Sequence, residues 1–128
     1  MAEMSNHLEN ALINATLRNT SYTSPSVVYL GLYTSDPTDA DTGTEVSGGS
    51  YARQSITFGA PSNGVSTNTA AIEFPQCTST WGTVTHVGIR DALTTGNLLY
   101  HTPLDASKTI ATGDIFRVAI GSLSVTLA

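Results

Sequence analysis

The chain has 128 residues, a net charge of −5 and only 12% charged residues, against about 25% in an average soluble domain. The sequence offers no apolar run near the roughly 18 residues of a membrane span, no basic and apolar leader, and no basic footprint for nucleic acid. One cysteine, Cys77, leaves no internal disulfide and no cysteine-based zinc site.

The first element is a helix over about residues 5–19. Ser5 or Asn6 caps it, and Glu9 stands three positions after Asn6 as a capping box requires. Leu8, Ala11, Leu12 and Ala15 share one face. Ile13 and Leu17 fall on the other side, which makes the helix apolar on two sides. Such a helix is either sandwiched within its own domain or docked on it by one face and on a neighbouring subunit by the other. Pro25 excludes continuation.

Strands and turns follow, in keeping with 20 Thr and 14 Ser. Val27–Tyr33 is β-rich. A long polar loop runs from Ser35 through Ser50. Tyr51–Phe58 is a strand with Ala52, Gln54, Ile56 and Phe58 on one face. Asn63-Gly64 marks a turn into another extended run. Thr69–Phe74 ends at Pro75. Val84–Asp91 turns Val87 and Ile89 inward. Thr95-Gly96-Asn97 turns into Leu98–His101, and Ala111–Asp114 into Ile115–Ile120. Leu123, Val125 and Leu127 then alternate to the C-terminus. About seven short strands with no linker predict a single domain over residues 1–128. The expected architecture is an antiparallel β-sandwich, jelly-roll or immunoglobulin-like, with one N-terminal helix.

The residues for chemistry are sparse. No G-x-S-x-G elbow accompanies His7, His86 or His101, and no phosphate-binding glycine motif is present. His86 and His101 read as surface or interface histidines. Asp36, Asp39, Asp41 and Glu45 offer hard oxygen ligands close together in the chain, but their spacing departs from a calcium loop. The loop reads as a solvated segment and a candidate contact loop to another protein. Trp81 reads as a core or edge residue, with sugar stacking alongside Tyr51 or Tyr22 as the alternative. Gly48 and Gly49 permit positive φ before a strand from which Tyr51 and Arg53 project on one side. Tyr and Arg are residues that interfaces favour. No catalytic residue, cofactor or metal is expected. The candidate interface set is Leu8, Leu12, Ile13, Leu17, Tyr51 and Arg53.

The order of segments is distinctive. Leu8-Glu9-Asn10-Ala11-Leu12 leads to Val28-Tyr29-Leu30-Gly31-Leu32-Tyr33-Thr34-Ser35-Asp36-Pro37. Gly48-Gly49-Ser50-Tyr51-Ala52-Arg53, Ala71-Ile72-Glu73-Phe74-Pro75, Trp81-Gly82-Thr83-Val84-Thr85-His86-Val87-Gly88-Ile89 and Gly96-Asn97-Leu98-Leu99-Tyr100-His101 follow. This series resembles a family of small structural proteins of tailed bacteriophages, commonly labelled phage tail fibre protein. The resemblance implies a virion component and not an enzyme. A fibre shaft needs coiled-coil, collagen-like or β-helical repeats, and none occurs here. The expectation is therefore a capsid decoration, or cement, protein on the outer capsid surface. It would bind the major capsid protein and itself, with a homotrimer favoured, and neither nucleic acid nor membrane. The alternative is a small tail fibre, tail-tip or baseplate-associated protein, including one that binds glycans.

Overall fold

The computed structural model describes residues 2–127. Its element order is β1 (Glu3–Met4), α1 (Asn6–Leu17), β2 (Val28–Tyr33), β3 (Gln54–Ile56), β4 (Val65–Thr67), β5 (Ile72–Glu73), β6 (Gly82–Arg90), β7 (Leu98–Ile110), β8 (Arg117–Val118) and β9 (Ser124–Thr126). The fold is mainly β, sandwich-like and open. One antiparallel sheet has the order β1-β7-β6-β2-β3, and β4-β9 and β5-β8 form two small sheets.

The period-2 geometry of strands gives the main sheet two different faces. Leu30 pairs with Ile89 and Leu32 with Val87 across β2 and β6, and these four belong to the core. Ile72, Phe74, Phe116 and Leu123 cover them from the side of the small sheets. Tyr51, Phe74, Trp81 and Phe116 form one aromatic cluster. Tyr51 stacks on Phe74 at 6.0 Å and meets Trp81 edge-on at 5.4 Å, and Phe74 meets Phe116 edge-on at 5.7 Å. Cys77 is fully buried beside it.

The opposite face is built differently. Gly31 pairs with Gly88 at its centre. A Cβ at Gly88 would stand 2.8 Å from the Tyr33 ring and from Leu98 Cδ1. The two bare positions thus let the Tyr33 ring lie flat on the sheet. The 35–50 loop and α1 cover this face. Ser5 fixes the helix start: its hydroxyl accepts from Leu8 N at 3.2 Å and donates to the Leu98 carbonyl, and its N–H donates to Leu99 O at 2.9 Å.

Several turns form as the sequence predicts. Asn63 and Gly64 both take positive φ (52° and 77°) between Ser62 and Val65, which exchange two backbone hydrogen bonds. Gly48 and Gly49 also take positive φ. Other expectations need correction. Ser5 is the N-cap and no Asn6–Glu9 capping box forms; the helix ends at Leu17, with Arg18 as its cap. β1 was not expected at all, and β7 runs 13 residues rather than the four of Leu98–His101. Within β7 the register slips: Val84 faces Lys108 and His86 faces Pro103, so residues 104–107 stand against Thr85 alone. This bulge absorbs the proline, which has no N–H for a ladder. The described residues form nine strands, several of only two or three residues.

Candidate functional site

The 35–45 loop brings four carboxylates onto the glycine-centred face, and each goes to a different partner. Asp36 accepts from Thr38 N at 2.9 Å and turns the chain at Pro37. Asp39 Oδ1 lies 2.8 Å from His101 Nε2. Asp41 takes both ends of the Arg90 guanidinium, Nη1 and Nη2 each at 2.8 Å. Glu45 takes Arg53 through Nε at 2.8 Å and Nη2 at 2.7 Å, and accepts from the Tyr51 hydroxyl at 2.6 Å.

Both arginines are buried. Arg90 ends β6 and uses all five N–H donors. Besides Asp41 it donates to the Tyr33 hydroxyl at 2.9 Å, Gly96 O at 2.9 Å and Thr95 O at 3.3 Å. Arg53 donates through Nη1 to Ala92 O and Thr95 O, each at 2.8 Å. The planar fork of arginine suits such two-point pairing with carboxylates. The 91–97 turn is thereby held by Arg90, which enters it, and by Arg53 from a distant part of the chain. A shallow depression of about 400 Å³ lies over the network, bounded by Val46, Ser47, Leu93 and Thr94.

Electrostatics follow the geometry. Burial pushes the Glu45 carboxyl up, but hydrogen bonds from Arg53 and Tyr51 and the charges of Arg53 and Arg90 outweigh it, so Glu45 sits below its ordinary value. Hydrogen bonding to Glu45 holds Arg53 more firmly protonated. Burial opposes the Arg90 charge, yet Asp41 and Tyr33 more than offset it and its pKa rises. Burial followed by the neighbouring Glu45 pushes the Tyr51 phenol far up, so it remains a donor.

The arrangement braces the 35–45 loop and the 91–97 turn against the sheet. Thr85 Oγ1 meets His86 Nδ1 at 2.8 Å, but the two are neighbours in sequence. Asp36 Oδ1 is 3.9 Å from His86 Nε2, beyond an orienting hydrogen bond.

The chain matches, over residues 3–126, the family described as Podophage GP4 fiber I protein gp80. It belongs to that family. The match runs from β1 through β9 and so takes in every described element. This agrees with the resemblance to tailed-phage structural proteins, and the chain is a bacteriophage virion component. No curated protein matches it.

Within this family member, the residues singled out by sequence fall into separate places. Leu8 is buried, and Leu12 is half-buried. Ile13 is 52% and Leu17 78% exposed, so the second apolar side of α1 is not covered by its own domain. Tyr51 and Arg53 meet on Glu45, and the four loop carboxylates do not converge on one point. Trp81 is buried, its Nε1 donating to Gly49 O at 2.9 Å, which leaves no open ring face for a sugar. His86 is half-buried, and His101 is buried in mid-strand rather than on the surface. Sequence reasoning missed Arg90, Tyr33, Glu3 and the carbonyl of Thr95. Arg90 carried one signal, a charge closing the otherwise uncharged run of β6.

Proposed function

We propose that this chain is a non-enzymatic structural subunit of the phage virion that serves in its fibre apparatus. The family match carries this reading, because the family is a fibre protein family and nearly the whole chain falls within it. The geometry supports a rigid module. The ion pairs of Arg53 and Arg90 brace the loops over one sheet face and occupy their own charges, leaving contact to exposed surface. The uncovered side of α1, with Ile13 and Leu17, is the surface through which we expect a second copy to pack, as a homo-oligomer with three copies favoured. Neither nucleic acid nor membrane is an expected partner, and no cofactor is required.

The second reading is capsid decoration, with the major capsid protein as partner and the outer capsid surface as location. One feature favours it. The described residues fold into a compact β-unit with no repeating shaft, which suits tiling a shell. Copy number per purified virion, measured by quantitative mass spectrometry against the major capsid protein, separates the two. A ratio of a few per cent fits a fibre at a tail or unique vertex. A ratio of order one, or a simple fraction of it, fits decoration of a symmetric lattice and would overturn the fibre reading.

A further inference from the structure

Three metal-ligating side chains from separate parts of the chain converge at one edge of the glycine-centred face. Glu3 lies on β1 and pairs in register with His101 on β7; Asp39 comes from the 35–45 loop. His101 is 5% exposed. Its Nε2 stands 2.8 Å from Asp39 Oδ1 and 3.9 Å from Glu3 Oε2. The three ligand atoms all lie within 4.8 Å of one another. Asp36 Oδ1 lies 3.9 Å behind the same ring at Nδ1, and 3.9 Å from His86 Nε2.

We propose that Glu3, Asp39 and His101 bind one divalent transition-metal ion of the zinc class. Tetrahedral zinc with nitrogen and oxygen ligands at about 2.0–2.2 Å places those ligands roughly 3.3–3.5 Å apart. The observed 2.8 and 3.9 Å lie on either side of that separation. Closing the site asks only for small movements of Glu3 and Asp39, both exposed, around a ring fixed by burial. Their exposure also leaves room for water in the fourth position. A carboxylate partner at Nδ1 would favour the tautomer that leaves Nε2 free for the ion, and Asp36 Oδ1, 3.9 Å away, would have to move closer to serve as one. A nitrogen ligand selects against calcium and magnesium.

Charge provides a second, separate argument. Asp41 and Glu45 are each matched by an arginine. Glu3, Asp36 and Asp39 make ion pairs only with the imidazoles of His86 and His101 among the described residues. Three carboxylates around two imidazoles form a negative spot that a dication offsets. Bound there, the ion would tie β1 and the acidic loop to β7.

The test is titration of the intact chain with zinc chloride by calorimetry, alongside thermal melts with and without zinc. The expected result is one zinc per chain, with affinity at least tenfold weaker in Glu3→Gln and in Asp39→Asn. The wild-type melting temperature should rise with zinc, and both variants should lose that rise. Both substitutions are at exposed positions, so folding is retained and the buried His101 need not be touched. No saturable zinc binding would overturn the proposal. So would binding unchanged in both variants, or binding abolished by His7→Asn while both variants keep it. Equal affinity for calcium would overturn the assigned metal class.

Discussion

Arg53 and Arg90 donate to the same backbone oxygen, the carbonyl of Thr95, at 2.8 and 3.3 Å. Each brings its own carboxylate, Glu45 or Asp41. The like charges that converge on one acceptor are therefore individually matched. A turn between β6 and β7, the segment just before β3 and the loop after β2 are joined through a single peptide unit.

Removing one arginine breaks this junction. Arg90→Ala strips five donors and leaves Tyr33 and Asp41 without their partner, at a cost of about 3–5 kcal/mol. Asp41→Asn should cost less, about 1 kcal/mol, because Asp41 is partly solvated. Urea unfolding with an unchanged m-value checks both the order and the sizes.

Acid should weaken the fold through Glu45. Its folded pKa lies below its ordinary value of 4.5, so the carboxylate contributes stability that is fully present above that value. The contribution is lost as pH falls through the lower, folded pKa. Glu45→Gln should be less stable than wild type at neutral pH, with a flatter decline below about pH 4.5. Denaturant midpoints across an acid series read this out, and parallel acid limbs would contradict it.

Two adjacent glycines should respond unequally to alanine. Gly48 has φ of 76° with nothing within 4 Å of an added Cβ. Gly48→Ala should cost only the left-handed backbone penalty, about 1–2 kcal/mol. At Gly49 the same Cβ would meet Ser79 O at 2.2 Å and Trp81 Nε1 at 2.8 Å. Gly49→Ala should cost more than Gly48→Ala, and should disturb tryptophan fluorescence as Gly48→Ala does not.

The outer side of α1 gives the prediction about association. Compared at concentrations where the wild type is also monomeric, Ile13→Asp and Leu17→Asp should change unfolding free energy by no more than about 0.5 kcal/mol, as expected for exposed positions. The same variants should lower the molar mass measured by light scattering from that of the oligomer to that of one chain. Variants that keep the wild-type mass would remove this surface from the proposed contact.

The β class, the N-terminal helix and most turns were legible because they depend on local signals. Alternation placed Val87 and Ile89, and Asn63-Gly64 announced its own backbone. β1 was not legible, since two residues carry no period. The length of β7 was hidden by Pro103 and by the bulge that accommodates it. The side-chain network was hidden for a different reason. Asp41 and Arg90 are 49 positions apart, and Asp39 and His101 62 apart, so only the assembled sheet brings them together. The exposed side of α1 was legible as apolar, but periodicity cannot say whether a domain covers it.

Cys77 has a consequence for where this protein lives. A virion subunit is made in the reducing interior of a cell and then works outside it, where thiols are oxidised. Cys77 has no accessible surface, and its sulfur lies against Ser79 O at 3.0 Å and Ile110 O at 4.0 Å. Oxidant and foreign thiol must first open the core to reach it. With no internal disulfide to form and its thiol shielded, the chain has no cysteine chemistry to undergo on lysis while it stays folded.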